Sequence, residues 1–147
     1  MVPPCRVLED EQATIDAAQL LATDIRAGDC VAISGDLGAG KSVFARALMR
    51  ALGVQDSVMP SPTYAIVQPY QGREFPVAHM DWYRIDSGDA LLHIGIDEYL
   101  QPPWVSIVEW PQRAPALLPS TTHHITVIID PNDPATARQI AVTHPTR

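Results

Sequence analysis

With 147 residues, 46 % of them hydrophobic, the chain can close one buried core and is short for two, so a single domain over residues 1–147 is expected. A charged fraction of 18 % and a formal net charge of -7 exclude a disordered polyelectrolyte and disfavour autonomous binding to nucleic acid. Cys5 and Cys30 are the only cysteines, which excludes a disulfide framework or a cysteine metal cluster, and no apolar run approaches the roughly 18 residues of a membrane helix. The opening MVPPCRVLED has prolines and acids where a leader would have basic and then apolar residues, so a cytoplasmic protein with no membrane attachment is expected.

In chain order, a short extended stretch around Arg6 to Leu8 precedes a helix capped by Asp10. Ile15, Ala18, Ala22 and Ile25 form its apolar face, and Gly28 is its stop. CVAIS, Cys30 to Ser34, reads as a buried strand. A glycine-rich turn follows, and then the helix KSVFARALMRALG, with Phe44, Ala47, Leu48, Ala51 and Leu52 on one face and Gly53 at its end. TYAIVQPY and FPVAHMDWY, separated by the turn around Gly72, read as a hairpin. DSGDALLHIGIDEYL is loop-rich and weakly helical, WVSIVEW is a compact buried strand, and HHITVIID and RQIAVTH alternate as a closing pair of strands. The alternation of strands and helices predicts an α/β fold, a mixed β-sheet flanked by helices.

The most specific stretch is GDLGAGKS, Gly35 to Ser42, which matches G-x-x-x-x-G-K-[ST] between a strand and a helix. Gly35, Gly38 and Gly40 let the backbone turn its N–H groups inward, and the helix N-terminus adds partial positive charge. Asp36, Leu37 and Ala39 complete the loop. Lys41, the only lysine of the chain, is placed to reach outer phosphates as a point charge, and the Ser42 hydroxyl to ligate Mg²⁺. Such a loop needs an acid at the end of a second strand. PVAHMD ends in Asp81 and VSIVE in Glu109; the longer apolar run ranks Glu109 first as the Mg²⁺ ligand, with Asp81 second, to hold the attacking water or a switch region. The alternative for Asp81 is a carboxylate capping the WYR turn through Arg84. His79 shares a strand face with Asp81, but no third metal donor is evident, so it reads as a core or switch histidine. His123 and His124 open a strand, His93 and His144 have no evident partners, and all four read as bland.

SPTY, Ser61 to Tyr64, sits where switch loops occur. N-K-x-D and D-x-x-G are both absent, which excludes a GTPase of the common type. A small-molecule kinase and a nucleotide-sensing module without relevant hydrolysis stand as alternatives to an ATPase.

GDLGAGKS, SPTY, HMDWYR, GIDEYL and VEWPQ, in this order from about Asp10 to Pro111, resemble the TsaE family of bacterial tRNA threonylcarbamoyladenosine biosynthesis. The resemblance implies an ATPase using ATP and Mg²⁺ that acts on the TsaB–TsaD heterodimer, with tRNA reached only through those partners. There, TsaD threonylcarbamoylates adenosine 37 of tRNAs reading codons that begin with A, and ATP hydrolysis resets the complex. By resemblance Lys41 matches the loop lysine, Ser42 the Mg²⁺ hydroxyl (usually a threonine), Glu109 the Mg²⁺ acid and Asp81 the strand-end aspartate. Thr63 matches the switch threonine and Trp110 the tryptophan after the acid, and Thr14 and Arg138 fall where the family brings its terminal segments to the nucleotide.

Overall fold

The computed structural model describes residues 6–36, 38–62, 65–135 and 137–146. β1 (Arg6–Leu8) leads into α1 (Glu11–Ala22), β2 (Cys30–Ser34) into α2 (Lys41–Ala51), and β3 (Val67–Gln71) into β4 (Pro76–Asp81). Then come α3 (Gly88–His93), a 3-10 turn (Ile96–Leu100), β5 (Val105–Glu109), two short 3-10 turns, β6 (Thr122–Ile129) and β7 (Arg138–Thr143).

The seven strands form one sheet in the order β1-β7-β6-β2-β5-β4-β3. β6, β2, β5 and β4 are mutually parallel, whereas β3, β7 and β1 join antiparallel at the edges. The fold is therefore α/β with a mixed sheet. β5 is buried along its whole length, and β2 and β4 over all but one terminal residue, as parallel strands covered on both faces require.

Side chains alternate across each strand, so Val77, Val105 and Ile107 turn to the face covered by α1 and α2. Ala78, Met80 and Val108 turn to the other face, covered by Trp82, Leu91 and Ile96. By the same parity His79, Asp81 and Glu109 fall on the α2 side. Phe44 and Leu48, one helical turn apart on α2, are fully buried against this face, each stabilising by about 2–3 kcal/mol. Truncating Phe44 to Ala costs more, about 3–5 kcal/mol, because a cavity is left.

α1 begins where expected: the Asp10 carboxylate accepts the Ala13 N–H at 2.9 Å, satisfying a first-turn donor. It ends sooner than expected, at Ala22, where the Thr23 hydroxyl donates to the Leu20 carbonyl at 2.7 Å. Its buried face is accordingly Thr14, Ala17, Ala18 and Leu21, and Ile25 enters the core from the turn beyond the helix. Gly28 marks the entry to β2, with φ +87 and no room for a Cβ, which would lie 2.7 Å from Pro102. The hairpin expected around Gly72 is β3–β4, although β3 starts only at Val67; Pro69 is tolerated because β3 is an edge strand. No helix among the described residues is long and apolar enough to cross a membrane.

Candidate functional site

The site lies at the carboxyl end of β2, the strand between β5 and β6, where ligands of open α/β sheets bind. After Ser34 the backbone takes positive φ at Gly35 (+150), Gly38 (+80) and Gly40 (+103), and α2 starts at Lys41. A Cβ on Gly35 would stand 2.1 Å from the Val127 carbonyl oxygen, so glycine there lets the loop lie against β6. Among the described residues, no atom lies within 4 Å of a would-be Cβ on Gly38, and Gly40 meets only Arg138 Nε, at 4.0 Å. The outer side of the turn is open, and the α2 N-terminus lies directly behind it, which is the arrangement that accepts anions.

Lys41 is buried, and its ammonium donates to the carbonyls of Gly35 at 2.6 Å and Asp36 at 2.9 Å. The same nitrogen is 4.5 Å from the centroid of the Trp110 ring. Burial pulls its pKa below the ordinary lysine range, opposed by the charges of Glu109, Asp36 and Asp81. Trp110, with φ +58, contacts Tyr83 at 4.8 Å between ring centroids, and the Arg113 guanidinium lies 5.4 Å from the Tyr83 ring.

β4 and β5 run parallel with Asp81 beside Glu109. The Ser42 hydroxyl donates to Glu109 Oε1 at 3.0 Å, and His79 Nε2 lies 2.7 Å from Glu109 Oε2. Asp81 Oδ1 accepts the Tyr83 N–H at 2.9 Å, which ties this carboxylate to the backbone of the turn after β4. Lys41, Ser42, Asp81, Glu109, Trp110 and Gly38 line one cavity of about 340 Å³, joined by Ser61. A second cavity, of about 310 Å³, lies on the other side of Gly40 and Val43, lined by Asp10, Thr14, Ala39, Val127 and Arg138. Arg138 Nε donates to the Ala39 carbonyl at 2.9 Å and so fastens β7 to the turn.

Of the residues expected from the sequence, Gly35, Asp36, Gly38, Ala39, Gly40, Lys41, Ser42, Asp81, Glu109 and Trp110 are thus assembled at or around one turn. Thr14 and Arg138 meet at the second cavity. Leu37 and Thr63 lie outside the described residues.

The oxygen donors fit a hard divalent cation. Mg²⁺ takes one or two protein oxygens and completes its shell with phosphate and water, and the Ser42 hydroxyl and Glu109 carboxylate meet that need. No three His, Cys, Asp or Glu side chains converge as a metal centre among the described residues. His79 turns its Nε2 to Glu109 instead, a partner invisible in the HMD triplet because it lies on the neighbouring strand. A correction concerns His123 and His144, whose Nδ1 atoms are 2.9 Å apart, while His123 Nε2 is 2.9 Å from Asp29 Oδ2. Strand pairing of His124 with Thr143 brings them together, again beyond local pattern.

Fold and site together define a protein of the strand, glycine loop and helix class with an acid on the adjoining strand. A family model described as "Threonylcarbamoyl adenosine biosynthesis protein TsaE" matches residues 8–140. The chain belongs to the TsaE family. Among relatives named tRNA threonylcarbamoyladenosine biosynthesis protein TsaE, that of Rickettsia felis is 32% identical over 112 residues, 76% of this chain and 65% of that one. The match thus takes in a little under two thirds of that relative's length. The Bacillus subtilis relative is 34% identical over 75% of this chain and 68% of its own length. The crystal structure of Bacillus subtilis YdiB superposes with a TM-score of 0.79 at 29% identity, covering 97% of this chain and 85% of that one.

Proposed function

We propose that this chain binds ATP with Mg²⁺ and hydrolyses it in tRNA threonylcarbamoyladenosine biosynthesis, in the cytoplasm, acting on a TsaB–TsaD pair rather than on tRNA. The observation that carries the reading is the convergence of Lys41, Ser42 and Glu109 at one glycine turn, with Ser42 and Glu109 hydrogen-bonded at 3.0 Å. The family name supplies the pathway.

The backbone N–H groups of the turn and the α2 N-terminus would bind the phosphates, with Lys41 leaving the Gly35 and Asp36 carbonyls for the outer ones. Thr14, Val127 and Arg138 would receive the nucleoside in the second cavity. Ser42 and Glu109 would hold Mg²⁺, which neutralises charge developing on the transferred phosphoryl group. Asp81, tied by one oxygen to the Tyr83 N–H and lining the same cavity, is the group to orient the attacking water. The net charge of -7 accords with tRNA being held chiefly by the partners.

The test is phosphate release by the purified protein with Mg²⁺ and ATP, alone and with TsaB–TsaD. Stimulation by the pair that disappears in Glu109→Gln is expected. Hydrolysis indifferent to the pair would refute the assignment to that complex.

A further inference from the structure

His79 is fully buried in the middle of β4, on the sheet face that α2 covers, and its Nε2 lies 2.7 Å from Oε2 of the equally buried Glu109. The other Glu109 oxygen, Oε1, accepts the Ser42 hydroxyl at 3.0 Å. The two oxygens of one carboxylate therefore have different partners, a histidine from the neighbouring strand and the first turn of α2. We propose that His79 is a positioning residue: its imidazole holds Oε2 so that Oε1 stays turned toward Ser42 and the divalent cation. This rests on reading Ser42 and Glu109 as the Mg²⁺ ligands.

Three physical points support it. The terminal torsion of a glutamate is broad and close to two-fold, so a carboxylate held at one oxygen swings readily, and a second hydrogen bond fixes its plane. The 2.7 Å contact needs one proton between ring and carboxylate, and a ring N–H donating to an ionised acid is the strong, charge-assisted form of this bond. The other ring nitrogen, Nδ1, is buried and has no hydrogen-bond partner among the described residues. Among the described residues the ring's one hydrogen-bond partner is Glu109, and that contact is what explains a histidine in an otherwise apolar stretch of β4. Groups that orient a metal ligand in this way typically contribute 10- to 100-fold to metal affinity.

Side-chain length separates positioning from mere filling of space. The amide nitrogen of a glutamine can take the place of histidine Nε2, whereas that of an asparagine reaches only the place of Nδ1. The experiment titrates Mn²⁺ against the protein with ADP, followed by the electron paramagnetic resonance of free Mn²⁺, and separately measures ADP binding without any divalent ion. We expect His79→Asn to weaken Mn²⁺ binding about 10- to 100-fold, His79→Gln to stay near wild type, and metal-free ADP affinity to be unchanged in both. In a Glu109→Gln background, His79→Asn should have no further effect on Mn²⁺. Mn²⁺ affinity in His79→Asn equal to wild type, or an equal loss of metal-free ADP affinity, overturns the proposal. A wild-type protein that binds no Mn²⁺ with ADP instead overturns the metal-site reading on which it rests. Should His79→Asn not fold, the ring ¹⁵N signals of wild-type His79 decide. A protonated Nε2 whose shift moves on adding Mg²⁺ with ADP supports the positioning role, and an unmoved signal refutes it.

Discussion

Gly35 and Gly38 lie three residues apart in the same turn, both with positive φ, yet their surroundings demand opposite responses to a methyl group. At Gly35 the Cβ would sit 2.1 Å from the Val127 carbonyl oxygen, where an ordinary carbon–oxygen contact is about 3.3 Å, so β6 would have to retreat by roughly 1 Å. Val127 is paired with Ile140 of β7 and cannot move alone. Overpacking costs about 1–3 kcal/mol and the backbone conformation a further 1–2, so Gly35→Ala should lose about 2–5 kcal/mol. Gly38→Ala meets no atom of the described residues within 4 Å and should lose only the backbone part, about 1–2 kcal/mol. At about 3 °C per kcal/mol for a domain of this size, melting falls by roughly 6–15 °C in the first variant and 3–6 °C in the second. Thermal melts followed by circular dichroism, without ligand, give the comparison. Nucleotide affinity should rank them differently, because the Gly38 methyl would project into the open space over the turn, and calorimetry with ATP should find that variant strongly weakened though the better folded of the two. Gly38→Ala melting as low as Gly35→Ala would refute the account of the turn as resting on β6.

Lys41 titrates below its ordinary range because of burial, so between that lowered value and the usual value near 10.4 the unfolded chain holds more protons than the folded one. Stability from this residue therefore rises with pH across that window, and the urea midpoint of wild type relative to Lys41→Met should improve between pH 8 and pH 10; a wild-type midpoint that falls relative to the variant would be wrong in sign. Burial pushes the Cys30 thiol up to about 11, so a thiol reagent at pH 8 should modify Cys30 only at the rate of unfolding, checked by mass spectrometry of the labelled peptide. His123→Ala removes a partner of the buried Asp29 and should cost about 3 kcal/mol, whereas the exposed neighbour His124→Ala should cost under about 0.5, both read from urea denaturation.

Local pattern made much of this legible. The Asp10 cap, the Gly53 stop, the alternating closing strands and the apolar runs ending in Asp81 and Glu109 each depend on neighbours within a few residues, and each appears in the structure close to where the chain announces it. What stayed hidden depends on register between strands distant in sequence. His79 and Glu109 are thirty residues apart, Asp29 and His123 ninety-four, and no spacing rule spans a crossover whose length is set by intervening helices and turns. The end of α1 departs from the apolar period for another reason: Ile25 continues the helical spacing, but the core takes it up from a turn, and burial rather than backbone shape fixes the apolar pattern.

The contacts of the Lys41 ammonium also bear on how the turn takes up an anion. Bound to two carbonyls and resting on an indole, it already has the company that a phosphate would offer. Two such charged hydrogen bonds represent about 3–6 kcal/mol that any arriving anion must first displace. Ligand capture at this turn is thus an exchange of partners rather than the filling of a vacancy, and the observed affinity is the difference between two bound states of one side chain. Small, singly charged anions such as chloride should lose that contest, so the turn favours anions of higher charge.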